Sequence, residues 1–133
     1  MIRYQDHLED ISPEHLEGFF LGWPNPPSLA RRLDILRGSR HVWIAREGEE
    51  VVGFVTALDD GVLCAFIPLL EVRPDRQGRG IGTELLCRMQ ETLADRYAVD
   101  AVCDEELVPF YERLGFRAMR AVSLRNYDRQ SAA

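Results

Sequence analysis

Residues 69–86 read LLEVRPDRQGRGIGTELL and join an apolar run to a glycine-rich basic turn and then to a helical pattern. Pro74 fixes its own φ and disfavours a helical conformation at the preceding residue, so we expect a strand to end at Arg73. Beyond the turn, apolar residues recur at helical spacing, which predicts a helix from about Gly80 to about Tyr97. The recurring residues are Ile81, Leu85, Leu86, Met89 and Leu93.

The turn has the chemistry of an anion site. Its glycines occupy alternate positions at the predicted helix start: Gly78, Gly80 and Gly82. Missing side chains there let a ligand reach backbone N–H groups that have no partner in the first helical turn. The helix dipole adds partial positive charge. Full charges come from three arginines set against one aspartate: Arg73, Arg76, Arg79 and Asp75. Phosphate or pyrophosphate is the expected ligand.

Two common phosphate loops do not fit this turn. A P-loop requires a lysine, and residues 69–86 contain none. The dinucleotide pattern G-x-G-x-x-G needs its third glycine one residue later than Gly82. The spacing alone leaves open a plain glycine-rich connection between a strand and a helix.

Two blocks resemble the GNAT family of N-acetyltransferases. Residues 77–82, QGRGIG, preceded by Val72-Arg73-Pro74, resemble that family's acetyl-CoA pyrophosphate loop. Residues 107–116, LVPFYERLGF, resemble its F/L-Y-x-x-x-G-F signature. The resemblance covers residues 51–116 well, and residues 1–38 only in the order of their elements. One departure is Asp104, which stands where the family often has asparagine and would repel phosphates while still accepting a hydrogen bond from the pantetheine arm.

The resemblance implies one acetyltransferase domain over residues 1–133 with an α+β fold. Its sheet would be mixed, mostly antiparallel, with about six to seven strands and a V-shaped split, flanked by about four helices. Sequence patterns predict strands at 2–8, 41–46, 51–58, 62–72 and 99–103, with one or two more in 118–127. They predict helices at 13–20, 28–38, 80–97 and 107–115.

Composition narrows the function class. The 133 residues carry a net charge of −6, which argues against nucleic acid and mildly favours cationic partners such as amines.

The N-terminal residues have no signal-peptide pattern, and no apolar run is long enough to cross a membrane, so a cytoplasmic protein is expected. The three cysteines are odd in number and far apart in apolar contexts, which favours buried thiols and neither disulfides nor a metal site: Cys64, Cys87 and Cys103. His41 is expected at the surface.

The implied cosubstrate is acetyl-CoA, with no metal. The residues expected to bind it are Leu70, Val72, Arg76, Gln77, Gly78, Arg79, Gly80, Ile81, Gly82, Thr83, Asp104 and Phe110. Backbone N–H groups at 70–72 would stabilise the oxyanion, freed by a bulge that Pro68 and the broken alternation at Leu69-Leu70 suggest.

Two side chains are candidates for proton transfer. Tyr111 occupies the family's tyrosine position and is the candidate acid for the leaving thiolate; alternatively, it only packs beside the CoA sulfur. The fourth-strand positions that often hold a base in the family are Phe66 and Pro68 here, so that base is absent. Glu71 is the nearest carboxylate. Asp104, Glu105 and Glu106 are the next carboxylates in line. The alternative is that Glu71 forms an ion pair with Arg73 or with a neighbouring strand, and that a water chain carries the proton.

The resemblance implies that the helix-loop-helix region around the proline-rich loop at 22–27 shapes the acceptor site. Trp23 and Phe20 could wall a pocket there; alternatively, Phe19, Phe20 and Trp23 only fasten the loop to the core. A small-molecule primary amine is the expected substrate. Acetylation of a protein or peptide, or a CoA-binding module without catalysis, remains open. The resemblance also raises the expectation of a homodimer.

Overall fold

A computed structural model describes all 133 residues and contains one five-stranded mixed sheet. The strands are β1 (Ile2–Gln5), β2 (His41–Glu47), β3 (Glu50–Asp59), β4 (Cys64–Val72) and β5 (Ala98–Ala101). They lie in sequence order across the sheet; β1 to β4 are antiparallel, and β5 is parallel to β4. The α-helices are α1 (Leu29–Gly38), α2 (Ile81–Thr92) and α3 (Val108–Glu112).

A hydrophobic core lies on each face of the sheet. On one face, α2 packs against β2, β3 and β4 through Leu85, Leu86 and Met89, none of which is exposed. Burying each such side chain contributes about 1.5–3 kcal/mol. On the other face, α1 and the loop before it cover Ile44 and Phe54. Ser28 caps α1 as expected, because its side chain accepts a hydrogen bond from Arg31 N–H over 3.3 Å.

The sheet splits beyond the middle of β4. Pairing between β4 and β5 runs from Cys64 with Ala98 to Ile67 with Ala101 and then stops. The register of β4 against β3 shifts at the same point: Phe66 pairs with Leu58 and Leu69 pairs with Thr56. This leaves two β4 residues, Ile67 and Pro68, opposite one β3 residue, which is the arrangement of a bulge. The predicted bulge therefore exists, slightly earlier than Leu69-Leu70, and residues 68–72 of β4 have no strand on their outer side.

The predicted numbers of strands and helices were wrong. Residues 118–127 form no strand, so the sheet has five strands. Only Pro13–Leu16 of the predicted first helix is helical, as a 3-10 turn, because the residues that follow carry a left-handed backbone at Phe20. Three α-helices remain. The helix that follows the glycine turn ends at Thr92, five residues before the expected Tyr97.

Two side-chain predictions were also wrong. Cys64 is exposed at the start of β4, whereas a buried thiol was expected. His41 is half-buried, and its Nε2 lies 2.7 Å from an oxygen of Asp59. That carboxylate is fully buried and also accepts hydrogen bonds from both sides of the Arg96 guanidinium, at 2.8 and 2.9 Å. Asp59 thus joins the end of β3 to the segment that enters β5.

No helix has both the length and the apolar composition required to cross a bilayer.

Candidate active site

The start of α2 presents a row of unpaired backbone donors. Gly78 and Gly80 have φ of +79° and +80°, and Gly80 is the N-cap of the helix. The first intrahelical hydrogen bond runs from Glu84 N–H to Gly80 C=O, so the N–H groups of residues 78–83 donate to no group in the protein. A Cβ at either glycine would meet nothing within 4 Å, so both N–H groups stay open to a ligand. These donors and the helix dipole make an anion site.

The basic charge around this turn is smaller than predicted. Arg73 pairs with Glu50 at 3.3 Å and with Asp75 at 3.1 Å. Arg76 pairs with Glu47 at 2.7 Å and also with Asp75 at 2.8 Å. Because the β2–β3 turn carries its glutamates to the start of α2, two of the three arginines are already neutralised. Only Arg79 has no ion pair. Backbone N–H groups therefore provide most of the attraction for an anion here.

The split in the sheet exposes a second pair of donors. Arg73 N–H donates to Val52 C=O over 2.9 Å, so it points towards β3. N–H directions alternate along a strand, so those of Leu70 and Val72 point the other way, where β5 has diverged. The C=O of Val72 points to that side as well and accepts a hydrogen bond from the Gln77 side chain over 3.0 Å. Backbone N–H groups thus border the split where the oxyanion donors were expected.

A cavity of about 420 Å³ joins these two rows of donors. Its lining contains ten of the twelve residues expected to bind acetyl-CoA, together with Tyr111: Leu70, Val72, Arg76, Gln77, Gly78, Gly80, Ile81, Gly82, Thr83 and Phe110. Arg79 and Asp104 do not line it. Leu107 does, and the sequence reading missed it. Leu107 could have been predicted as a lining residue because it precedes Phe110 and Tyr111 by one helical turn.

Tyr111 is one of the residues that line this cavity. Its ring is half-buried between Phe110 and Phe116, with ring centroids 5.2 and 5.4 Å away. Its hydroxyl has no hydrogen-bond partner in the protein. Burial, and to a smaller degree the neighbouring Cys103, raise the pKa of Tyr111 above its ordinary value. The phenol is therefore protonated near neutral pH and free to donate.

Glu71 faces the opposite side of the sheet from this cavity. It stands opposite Phe54 of β3, whose ring belongs to the α1 core. Its carboxylate accepts a hydrogen bond from Phe20 N–H over 2.9 Å. The ion pair considered between Glu71 and Arg73 does not form, because Arg73 is held by Glu50 and Asp75. Burial raises the pKa of Glu71 above its ordinary value, and the Phe20 hydrogen bond and the charge of Arg32 offset part of that rise.

The two aromatic residues of the expected acceptor wall have different surroundings. Phe20 is only 2% exposed and packs in the α1 core, so its side chain is not open to a ligand, contrary to expectation. Trp23 is 37% exposed and packs edge-on against Phe20, with ring centroids 5.0 Å apart. Phe20 therefore supports the ring that could form the wall.

Arg32 fixes the loop that carries Trp23. Its guanidinium donates to the C=O groups of Pro27 and Leu16, each over 2.9 Å, and lies over the Phe20 ring at 5.3 Å. The prolines restrict the same loop further: Pro24, Pro26 and Pro27. Trp23 is thus presented on a rigid support, and it packs against Phe20, whose N–H donates to Glu71.

Comparison with known proteins agrees with this geometry. Residues 7–127 match the Acetyltransferase (GNAT) domain family. A candidate acetyltransferase from Deinococcus radiodurans R1 is 46% identical, with a TM-score of 0.94 over 98% of this chain and 92% of that one. A GNAT-family acetyltransferase from Streptococcus pneumoniae TIGR4 is 24% identical, with a TM-score of 0.77 over 94% and 98%. The aminoglycoside N-acetyltransferase AAC(6')-Iy in complex with CoA is 19% identical, with a TM-score of 0.69 over 95% and 94%. This chain belongs to the GNAT family of acetyltransferases.

Proposed function

We propose that this protein transfers acetyl from acetyl-CoA to the primary amine of a small molecule by direct attack. The observation that carries the proposal is one cavity bordered by the unpaired N–H groups of residues 78–83, the free edge of β4 and the Tyr111 hydroxyl. The first would hold the pyrophosphate, the second the thioester oxygen and the third the leaving sulfur.

The reaction requires stabilisation of the negative charge on the carbonyl oxygen, transfer of a proton to the leaving thiolate and removal of a proton from the amine. The amine nitrogen attacks the thioester carbon, and the carbonyl oxygen becomes an oxyanion facing the N–H groups of Leu70 and Val72. When the C–S bond breaks, the Tyr111 hydroxyl supplies the proton that the thiolate takes up. The nitrogen must lose a proton to become an amide, and Glu71 is the carboxylate placed to accept it, directly or through water.

The sheet split would let the two substrates meet from opposite faces. The cavity lies on the α2 face, and Glu71 with Trp23 lies on the α1 face. No strand covers residues 68–72 of β4 on their outer side, so an amine beside Glu71 could reach a thioester held at Leu70 and Val72. A carboxylate and an aromatic ring are both favourable for an alkylammonium group.

The proposal of a small amine as substrate rests on the loop that carries Trp23. The Trp23 loop is rigid and short, and it is closed by the chain end, where Asn25 N–H donates to the Gln130 side chain over 3.0 Å. A neighbour of the same fold, AAC(6')-Iy, has been captured with the bisubstrate analogue CoA-S-monomethyl-acetylneamine, which joins CoA to a small amine.

Two measurements test the proposal together. Calorimetry of the purified protein with acetyl-CoA should show binding at a single site. Release of free thiol from acetyl-CoA should accelerate with small amines, among them polyamines, aminoglycosides and amino acids, and less with lysine peptides. Absence of binding heat would refute the CoA site. Binding without thiol release from any amine would refute catalysis, and peptides outperforming every small amine would refute the substrate class.

A further inference from the structure

An exposed apolar strip lies on the sheet beyond Glu71. It consists of Leu58, Phe66 and Leu69. Leu58 and Phe66 stand opposite each other on β3 and β4 and are 47% and 37% exposed. Phe66 faces the α1 side, since residues 65 and 67 on either side of it belong to the α2 core. Leu69 packs against the α1 core between Phe66 and Glu71. The apolar strip therefore shares a face with the carboxylate proposed to accept the substrate proton.

A buried hydroxyl without a partner lies on the same face as this strip. Thr56 pairs with Leu69, and its neighbours at 55 and 57 belong to the α2 core, so its own side chain points to the α1 side. It is 0% exposed, and its Oγ1 has no hydrogen-bond partner. An unpaired buried polar group is costly, so a ligand that brings an N–H donor to the apolar strip gains a partner there.

A second carboxylate stands at the far end of the apolar strip. Asp100 of β5 pairs with Phe66, and paired residues of parallel strands point to the same face. Asp100 is exposed and forms no ion pair and no side-chain hydrogen bond within the protein. Arg117 and Arg120 line the groove beyond β5, and neither pairs with it. The strip thus runs between two carboxylates, one on β4 and one on β5.

The sheet fixes the spacing of these carboxylates. Phe54 is opposite Glu71, and Leu58 is opposite Phe66, so Glu71 and Phe66 are about 13 Å apart along the strands. Asp100 lies one strand further, which places its Cα about 14 Å from that of Glu71. With an ammonium about 2.8 Å from each carboxylate, the two nitrogens are about 8–11 Å apart, the length of an extended chain of about six to eight methylenes.

We propose that the acceptor is a linear diamine. Its reacting amine lies at Glu71, its aliphatic chain lies on the apolar strip, and its second, protonated amine pairs with Asp100. This inference rests on the proposed function and narrows its substrate class. Charge supports it, because β3, β4 and β5 carry no basic residue and the whole chain has a net charge of −6. Asp100 is then the residue that selects a second cation.

Rates with two matched series of amines test the proposal. The series are α,ω-diamines and monoamines from about two to ten carbons long, with thiol release from acetyl-CoA as the readout. The kcat/KM of the diamines should be highest at about six to eight carbons, because a shorter chain leaves its second charge on apolar surface. At that length, a diamine should exceed the monoamine about 5-fold through the added ion pair.

Variants at Asp100 connect this preference to one side chain. Asp100→Asn should remove the advantage of the diamine and leave the monoamine rates unchanged. Asp100→Lys should instead favour ω-amino carboxylic acids of the same length. Asp6→Asn is the matched control, because Asp6 is an exposed carboxyl without an ion pair just beyond β1, at the opposite edge of the sheet. Both positions are exposed, so thermal melts should show folded variants.

Failure of this inference can be told apart from failure of the proposed function. Equal rates for diamines and monoamines, or an Asp100→Asn variant that keeps the preference, would overturn the diamine and leave acetyl transfer in place. Calorimetry of the CoA-bound protein with 1,7-diaminoheptane reads the site without turnover. Binding tighter than that of heptylamine, and weakened by Asp100→Asn, would support the inference even without thiol release. Absence of both amine binding and thiol release would overturn both proposals.

Discussion

The Glu71 carboxylate accepts a hydrogen bond from the backbone N–H of Phe20 over 2.9 Å, across 51 positions of sequence. Phe20 has φ of +61°, a left-handed conformation that costs a bulky residue about 1–2 kcal/mol. The hydrogen bond and the burial of the Phe20 ring hold that conformation. The carboxylate that we propose as the proton acceptor therefore also shapes the loop that carries Trp23.

Replacing Glu71 by glutamine separates these two roles. The amide oxygen of Glu71→Gln can still accept from Phe20 N–H, so stability should change little. Without a titrating group, kcat/KM should fall about 10²-fold. In the wild type, the rate should rise as pH increases through the Glu71 pKa, which burial raises above its ordinary value. The variant should lose this rise of rate with pH. Glu9→Gln, at an exposed carboxyl without an ion pair, is the control. An unchanged pH–rate profile would exclude Glu71 as the base.

Glu71→Ala should also loosen the loop. The Phe20 N–H then loses its acceptor in a half-buried site, which costs about 1–3 kcal/mol. Denaturant unfolding should show Glu71→Ala less stable than Glu71→Gln by that amount, and the KM for the amine should rise further. Equal stability of the two variants would mean that the hydrogen bond does not support the loop.

Trp23→Ala tests the acceptor wall. The ring is partly exposed and packs against Phe20. Its loss should raise the KM for the amine about 10-fold through lost contact and cation–π attraction. The affinity for acetyl-CoA, measured by calorimetry, should stay the same because Trp23 does not line the CoA cavity. An amine KM equal to that of the wild type would place the acceptor elsewhere.

Tyr111→Phe tests the acid. The change removes one hydroxyl that has no protein partner, so the fold should keep its stability and acetyl-CoA should bind as before. We expect kcat to fall by about 10² or more, because the thiolate would leave without a proton donor. Tyr97→Phe, at a tyrosine that is 86% exposed, is the control. If Tyr111→Phe turned over at the wild-type rate at every pH, the tyrosine would serve only for packing.

Gly80→Ala tests the anion site against a control with the same strain. Gly80 and Gly48 both have positive φ, +80° and +59°, and a Cβ at either meets nothing within 4 Å. Each change to alanine should cost about 1 kcal/mol of unfolding free energy. Only Gly80→Ala should weaken acetyl-CoA binding, about 10-fold or more, because its methyl group lies among the N–H donors. Equal affinities in the two variants would argue against a pyrophosphate at this turn.

Asp59→Asn tests the buried cluster at the end of β3. The hydrogen bonds from Arg96 hold the pKa of Asp59 well below its ordinary value, with smaller effects from Gly61 N–H and His41. The ionised form therefore stabilises the fold above about pH 4, and this contribution is lost as pH falls below that value. Asp59→Asn should lower the Tm at pH 7. As the pH is lowered into the acid range, the Tm of the variant should fall less than that of the wild type. Asp34→Asn, in an exposed ion pair with Arg31, should do neither.

The glycine-rich turn before α2 was predictable because its signals are local. Pro74 ends a strand, alternate glycines open a helix start and apolar spacing marks α2, all within residues 69–86. Each of these effects acts between neighbours in the chain, so local sequence specified the strand, the turn and the helix. The resemblance to the family then supplied the twelve residues expected to bind the cosubstrate, of which ten line the cavity. Tyr111 followed from its own short signature.

Other features depend on contacts between distant segments, and no local pattern encodes them. The glutamates of the β2–β3 turn neutralise Arg73 and Arg76 because antiparallel pairing brings residue 47 beside residue 76. The Glu71 partner is Phe20 and not Arg73, although the pleat puts residues 71 and 73 on the same face, because Glu50 and Asp75 hold the Arg73 side chain. Residues 118–127 have strand-forming sequence but no strand, because a strand needs a neighbour as well as a propensity. Local sequence set the elements and the anion site, and long-range packing set the charges and partners around them.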